Sequence, residues 1–337
     1  LLEGQFRGPI LPITPKHAAV CGVMSYPSVQ ALPLVPDLAI VCTAAHRVIP
    51  LLDELGRRGV GAAILLATGF DAEQRAALQA IRQRDGIRLL GPNSMGLLMP
   101  HLGINASFSP IAARPGQVAF LSQSAAVSTT ILDWAKLHDV GFSTFVSLGE
   151  DCDISTGELL DYLSRDGTTR AILLYMDRVR DARHFMSAAR AAARNKPILV
   201  LKSGRHAHSG TPDNIYDAAI RRAGMLRVRD THELFAAVET LSHGPRLMGE
   251  RLAIIANGRG LANMALDTLQ ERGGKPACAP RDIGSDANIA DYLAALEAIF
   301  TEDQANAILI IHAPSLTSGS EALAKALIEA INQHPRA

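Results

Sequence analysis

A run of small polar residues follows an apolar segment in the middle of the chain. Ser122, Gln123, Ser124 and Ala125 lie where a predicted strand at 118–121 gives way to a predicted helix. The first N–H groups of a helix have no partner inside the helix, so they attract anions such as phosphate. Ser122 or Ser124 could instead act as a plain helix N-cap. The pattern therefore predicts either an anion site or an N-cap at this helix start.

Two histidines lie in a loop that follows another predicted strand, at 197–202. His206 and His208 could serve as nucleophile, as ligand or as neither. Asp177 ends the neighbouring predicted strand at 170–176. Because the carboxyl ends of parallel strands meet at one edge of a sheet, its carboxylate could hold an imidazole of this loop in one tautomer and favour the cation.

Two glycine-containing turns give weaker signals. Gly91, Pro92 and Asn93 follow a short apolar strand, and on their own they indicate a rigid turn. The segment 257–260 contains two glycines after a strand but lacks the third glycine of a dinucleotide-binding fingerprint. A tight turn is the better interpretation there, and an NAD-dependent enzyme is poorly supported.

The composition excludes several classes of protein. The chain has 337 residues with 33 Lys+Arg and 33 Asp+Glu, so a broad basic surface for nucleic acid or an anionic membrane is not expected. The four cysteines lie far apart and form no CxxC pair, which argues against a zinc or redox motif and favours a reducing cytoplasm. No apolar run reaches the ~20 residues of a membrane span. We therefore assign no metal, nucleic-acid or membrane partner.

The elements that must position these residues form a repeating pattern of short apolar runs and amphipathic segments. Such alternation predicts parallel sheets with helices on both faces and ligands at the carboxyl ends of the strands. The predicted strands are 9–14, 37–43, 61–67, 87–90, 118–121, 142–148, 170–176, 197–202, 225–228, 252–257 and 307–313. The predicted helices are 47–58, 71–84, 124–137, 155–165, 182–193, 214–223, 231–242, 261–271, 290–300 and 320–332. Clusters of proline and glycine near 109–116 and 243–245 predict three domains, 1–112, 113–245 and 246–337.

Several longer motifs follow one another in order along the chain. They are GPNSMGLL, NASFSP, GQVAFLSQSAAVSTTILDWA, GFSTFVSLGEDCDIS, AILLYMDRVRDARHFMSAARAA, KPILVLKSGR and YDAAIRRAGMLRV. With these motifs the sequence resembles the NDP-forming acyl-CoA synthetases, relatives of the succinyl-CoA synthetase α subunit, over essentially its whole length. The resemblance implies an α/β fold. A Rossmann-like CoA-binding domain without its first strand would precede two flavodoxin-like, doubly wound parallel-sheet domains, the second of them incomplete.

The resemblance also implies where coenzyme A or acetyl-CoA would bind. Gly91, Pro92 and Asn93 would border the CoA, together with Lys16, whose charge suits a CoA phosphate. ATP or ADP with Mg is expected only in a separate ATP-grasp domain that this sequence does not contain.

For the chemistry, the resemblance implies a phosphoryl relay. Synthetases of this kind convert acyl-CoA and phosphate to acyl phosphate, and a loop histidine then carries the phosphoryl group to ADP. The segment 122–125 would cradle the phosphate, Asp177 would steady the phosphohistidine, and His208 is the candidate for that histidine.

Departures from the family pattern leave two functions open. Ala125 stands where the synthetases typically have Gly, and only ten residues separate Arg205 from Tyr216, where the family has a longer histidine loop. With RVRDTHELFAAVETLSH, the chain most resembles the synthetase-like region of bacterial Pat-type protein lysine acetyltransferases. There it would bind acetyl-CoA and regulate an attached GNAT domain that acts on protein lysines. The alternative is an active ADP-forming acyl-CoA synthetase that works through a phosphohistidine. A homo-oligomer is compatible with either function.

Overall fold

The computed structural model describes residues 1–204, 211–243, 249–314 and 319–334. The chain divides into two compact units, Leu1–Gly244 and Pro245–Ala337. Among the helices of these described ranges, none has both the length and the apolar character that crossing a membrane requires.

The N-terminal unit begins with a short hairpin and a three-stranded parallel sheet of order β3-β4-β5. The elements are β1 (Ala19–Val20), β2 (Val23–Met24), β3 (Leu38–Val41), α1 (Ala45–Arg57), β4 (Ala62–Leu65), α2 (Ala72–Asp85) and β5 (Arg88–Leu90). Residues at both ends of α2 determine where this helix begins and ends. Asp71 accepts the N–H of Gln74 as N-cap, and Gly86 ends the helix in the left-handed conformation at φ +73°. The predicted helix at 71–84 is therefore confirmed.

The strand predicted at 9–14 is wrong. This segment makes only an isolated bridge, between Ile13 and Tyr26. Pro9 and Pro12 explain the error, because proline has no N–H to donate to a β-ladder.

A seven-stranded sheet forms the rest of the unit, in the order β12-β11-β10-β8-β9-β6-β7. Its elements are β6 (Gly96–Met99), β7 (Ile104–Ser107), β8 (Pro115–Ser122), α3 (Ala125–Leu137), β9 (Phe142–Ser147), α4 (Thr156–Arg165), β10 (Ala171–Met176), α5 (Ala182–Asn195), β11 (Ile198–Lys202), α6 (Asp213–Ala223), β12 (Leu226–Val228) and α7 (Thr231–His243). The strands β8 to β12 are parallel to one another. Leu173 and Leu174 of β10 belong to two different core clusters, one on each face of the sheet. The predicted α/β fold with doubly covered parallel strands is confirmed.

The strands β6 and β7 were not predicted. They form an antiparallel pair that joins the sheet through β9. Both precede the predicted domain joint near 109–116, so the sheet takes strands from both sides of that joint. The boundaries predicted from proline and glycine remain predictions, because turn residues do not reveal which strands pair across them.

The C-terminal unit is a smaller four-stranded parallel sheet. Its elements are β13 (Arg251–Ala256), α8 (Arg259–Glu271), β14 (Lys275–Pro276), β15 (Arg281–Asp282), α9 (Ile289–Glu302), β16 (Ala307–Ile311) and α10 (Ser320–Gln333). The strand β13 pairs in parallel with each of the other three. Its core contains the fully buried Tyr292, whose hydroxyl contacts His312 Nδ1 at 2.9 Å.

Candidate active site

The start of α3 is a capped helix that still presents free donors. Ser124 Oγ accepts the N–H of Val127 at 3.3 Å, which confirms the N-cap interpretation. Ser122 is buried, and its hydroxyl holds the turn by accepting the Ser124 N–H and donating to the Ser124 carbonyl, at 3.0 and 2.9 Å. Within the described chain, no acceptor receives the N–H groups of Ala125 and Ala126. Those two groups, at the positive end of the helix, could bind an anion.

Gln123 connects this turn to the loop after β10. Its side-chain Oε1 accepts the backbone N–H groups of Asp177 and Arg178 at 2.8 and 3.1 Å. Its Nε2 donates to the carbonyl of Arg178 at 2.9 Å. The side-chain amide of Gln123 therefore links the two loops, and both its Oε1 and its Nε2 are hydrogen-bonded to backbone groups. The structure brings Gln123 and Asp177 together across 54 residues of sequence, as the strand order allows.

Asp177 lies in a hydrogen-bonded group at the ends of β10 and β11. Ser203 donates its hydroxyl to Asp177 Oδ1, and this contact links the two strand ends. Tyr175 also interacts with both side chains, and burial raises the pKa of its phenol. Lys202 is buried beside them, with Nζ 4.6 Å from the ring centroid of Tyr216, and burial lowers the pKa of its ammonium although Asp177 opposes this. A carboxylate held in this way could orient an imidazole.

Tyr175, Lys202 and Ser203 join this group although they were not predicted as site residues. Lys202 and Ser203 lie in the quoted motif KPILVLKSGR, at the carboxyl end of a strand next to Asp177. This position at a strand end could have indicated that Lys202 and Ser203 belong to the site. The predicted histidine, His208, lies outside the described residues.

The turn at 91–93 is packed against the loop after β9. Gly91 and Pro92 are buried, while Asn93 is exposed and adopts φ +57°. The Pro92 carbonyl accepts the Glu150 N–H at 2.8 Å. A Cβ on Gly149 would lie 2.2 Å from that carbonyl oxygen, so only glycine permits this approach. Of these three turn residues, Asn93 is the exposed one, and its role at CoA stays a prediction.

The predicted CoA-binding lysine is exposed in the N-terminal segment. Lys16 donates its backbone N–H to Thr14 Oγ1 at 3.2 Å. Its side chain is accessible, as a charge that meets a phosphate must be. The role of Lys16 at CoA stays a prediction.

A buried carboxyl lies in the loop after β9. Asp151 is 7% exposed and adopts φ +54°. Burial raises the pKa of its carboxyl to about 6, against the attraction of the guanidiniums of Arg180 and Arg178, and Glu158 adds a smaller increase. Burial outweighs the arginines because neither guanidinium hydrogen-bonds the carboxylate in the described residues.

We expect the Asp151→Asn substitution to change how stability depends on pH. Between about pH 4 and pH 6 the folded protein holds a proton that the unfolded chain releases, so this carboxyl lowers the free energy of unfolding by about 2–3 kcal/mol as pH rises. Asparagine tolerates the positive φ and does not ionise. In urea unfolding, the variant should gain stability relative to the wild type across this window and keep the gain above it. Asp139→Asn is a matched control, since Asp139 is exposed and adopts φ +59°. Parallel pH profiles for Asp151→Asn and wild type would contradict the buried carboxyl.

We expect Ser124→Asp to separate the N-cap from the anion site. Aspartate is as good an N-cap as serine, so the stability of the unit should stay within about 0.5 kcal/mol of wild type. Its charge would repel an anion held by Ala125 and Ala126, and phosphate affinity should fall about tenfold or more. Calorimetric titration with inorganic phosphate measures this. Asn288→Asp, at the N-cap of α9, is the control. Unchanged phosphate binding in Ser124→Asp would leave only the N-cap.

Comparison with known proteins finds two domain families in this chain. Residues 1–100 match the model of a CoA binding domain, and residues 115–241 match the model of the succinyl-CoA ligase like flavodoxin domain. Over these two domains the chain is similar to the α subunits of ADP-forming acyl-CoA synthetases. An ADP-forming acetate–CoA ligase of Archaeoglobus fulgidus is 32% identical over 92% of this chain and 50% of its own length. The α subunit of an ADP-forming acetate–CoA ligase of Pyrococcus furiosus is 33% identical over 81% of this chain and 64% of its own length.

A solved structure is similar to this chain over nearly its whole length. The acetyl-coenzyme A synthetase 1 of Candidatus Korarchaeum cryptofilum, determined in complex with phosphate and ADP, superposes with a TM-score of 0.93 at 26% identity. The match covers 99% of this chain and 80% of that one. The chain spans half to about two thirds of the length of the two curated ligases.

Proposed function

We propose that this chain is the CoA- and acyl-handling part of an ADP-forming acid–CoA ligase. The observation that carries the proposal is the connection made by Gln123. This residue joins a helix start with two free N–H groups to the loop that holds Asp177. An anion-binding helix and a braced carboxylate at one sheet edge are what a phosphoryl relay needs.

In the proposed reaction, a phosphate oxygen attacks the acyl carbonyl of acyl-CoA and the CoA thiolate leaves, which gives acyl phosphate. The N–H groups of Ala125 and Ala126 bind the phosphate oxygens. An imidazole nitrogen then attacks phosphorus, and the carboxylic acid leaves as its anion. Asp177, held by Ser203, accepts a hydrogen bond from the other imidazole N–H and stabilises the cation that forms. His208 is the proposed carrier. ADP finally takes the phosphoryl group in an ATP-grasp domain outside this sequence.

The relatives reported above are named as ligases, so they support this function rather than the regulatory role expected from the Pat-type resemblance. Ala125 favours the second candidate, an acetyl-CoA-sensing region of a lysine acetyltransferase. Its Cβ stands at the first residue of α3, beside the two donors, where a glycine would leave more room for a phosphoryl group.

The deciding experiment uses the intact protein that contains this chain, with acetyl-CoA, ADP, phosphate and Mg²⁺. The ligase proposal expects ATP to form, and expects Asp177→Asn to reduce the rate of ATP formation at least tenfold while acetyl-CoA still binds. Asp133→Asn, on the exposed side of α3, serves as the control. Acetyl-CoA binding without ATP formation would overturn the ligase proposal and favour the sensing role.

A further inference from the structure

A second polar cleft lies in the N-terminal unit, where the loops after β9 and β10 meet the starts of α4 and α5. Its volume is about 300 Å³, which is room for a small organic molecule. The apolar part of the wall comes from Met176, Val179 and Phe185. The relay described above uses none of these residues.

Two buried polar atoms in the lining have no partner in the described chain. Asp151 and Thr156 are 7% and 6% exposed, and Asp151 Oδ1 and Thr156 Oγ1 make no hydrogen bond there. A buried acceptor or hydroxyl without a partner destabilises the fold, because it has lost its hydrogen bonds to water and gained none in the protein. Such groups need an explanation, and a ligand that brings a donor to them would supply one.

The other carboxylates of the lining are already satisfied. Asp153 pairs with Arg82 and Arg88, and Asp181 caps α5 through the N–H of His184. Glu158 pairs with Arg88 and completes the capping box of α4. Each of these carboxylates therefore already has a partner in the protein.

The two arginines of the lining, Arg178 and Arg180, have no such carboxylate partner in the described residues. Among the described residues, no carboxylate oxygen lies within 4 Å of a guanidinium nitrogen of Arg178 or Arg180. Arg178 makes a long contact of 3.5 Å to the Glu150 carbonyl. Both side chains are exposed and line the cleft. Guanidiniums in this state suit a carboxylate ligand.

We propose that this cleft binds a short carboxylic acid that also carries a hydroxyl or ammonium group. The carboxylate of the ligand pairs with Arg178 and Arg180. Its hydroxyl or ammonium donates to Asp151, and Thr156 adds a second polar contact. The one to three carbons between the carboxylate and the donor group lie against Met176 and Phe185. The loop after β9 thus serves two purposes, since its other residues hold the turn at 91–93.

The test is calorimetric titration of the intact protein, without CoA or ADP. The probes are glycolate, glycine, 3-hydroxybutyrate, 4-hydroxybutyrate and 4-aminobutyrate, each compared with acetate or butyrate of the same chain length. We expect at least one donor-bearing acid to bind about tenfold or more tightly than its unsubstituted counterpart. Because neither CoA nor ADP is present, the result does not depend on ligase activity.

Two variants locate the site. Asp151→Gly removes the carboxyl at a positive φ that glycine adopts freely, and should abolish the preference for the donor-bearing acid. Thr156→Val removes only the hydroxyl and should weaken that preference. Asp139→Gly makes the same backbone change at an exposed aspartate and should leave binding unchanged. The proposal fails if no probe binds, if the donor makes no difference, or if the preference survives Asp151→Gly.

Discussion

The Leu173→Asp substitution should prevent cooperative folding of the N-terminal unit. Leu173 lies in β10, opposite Phe120 of β8 and Leu199 of β11, and it is fully buried. A carboxylate there has no partner in the apolar cluster and cannot reach water past the helices that cover the sheet. Burying such a charge costs more than the ~5–15 kcal/mol that stabilises a typical domain, or forces an equally disruptive rearrangement.

Two further variants separate burial from strand position. Leu226 is 60% exposed on β12, at the edge of the same sheet, so Leu226→Asp should cost less than about 1 kcal/mol. Leu173→Ala removes the side chain without adding charge and should lower the free energy of unfolding by about 2–5 kcal/mol. Circular dichroism and urea unfolding measure all three. A Leu173→Asp protein with a wild-type unfolding midpoint would contradict the doubly covered sheet.

The strands of this sheet were predictable because a short run of consecutive apolar residues is enough to indicate burial. Runs such as AILLYM and PILVLK are apolar on successive residues, as strands covered on both faces require, and the observed bounds differ from the predicted ones by one residue. The segment PILPIT has the same apolar character and failed as a strand. Its prolines remove ladder donors, a loss that an apolar pattern does not register.

The candidate site was predictable at its helix start and less so elsewhere. Ser124 follows a strand and precedes a helix, so both its N-cap role and the adjacent free donors could be inferred from local sequence. The brace made by Gln123 depends on a contact 54 residues away, and the ion pairs of Asp153 depend on partners 65 and 71 residues away. No local periodicity encodes such contacts. They arise when strand order brings distant loops together.

The second large effect is expected at Asp153, which fastens the loop after β9 to the α2–β5 region. Its carboxylate is 5% exposed and pairs with Arg82 through Oδ1 at 3.1 Å and with Arg88 through Oδ2 at 3.0 Å. Oδ2 also accepts the N–H of the buried Leu89 at 2.8 Å. Gln79 donates to the Cys152 carbonyl at 2.7 Å beside it. Removing this carboxylate would leave the buried Leu89 N–H without its acceptor and Arg82 without its ion pair, whereas Arg88 would keep only its pair with Glu158.

We therefore expect Asp153→Ala to lower the free energy of unfolding by about 3 kcal/mol. A buried pair that loses one partner costs about 3–5 kcal/mol, and the solvent around the two half-exposed arginines reduces the upper end of that range. Glu321→Gln breaks an exposed pair with Lys325 on α10 and should cost only a few tenths of a kcal/mol.

A second readout distinguishes loss of the loop attachment from general destabilisation. The loop held by Asp153 also supports the turn at 91–93, through Gly149 and Glu150. Hydrogen exchange at the amides of Leu89 and Glu150 should therefore accelerate in Asp153→Ala more than exchange in the β10 and β11 amides, because the loop can open without unfolding the sheet. If Asn93 borders CoA, affinity for CoA should fall in the same variant. Uniform acceleration across the unit would instead mean that Asp153 contributes to global stability without holding this loop in place.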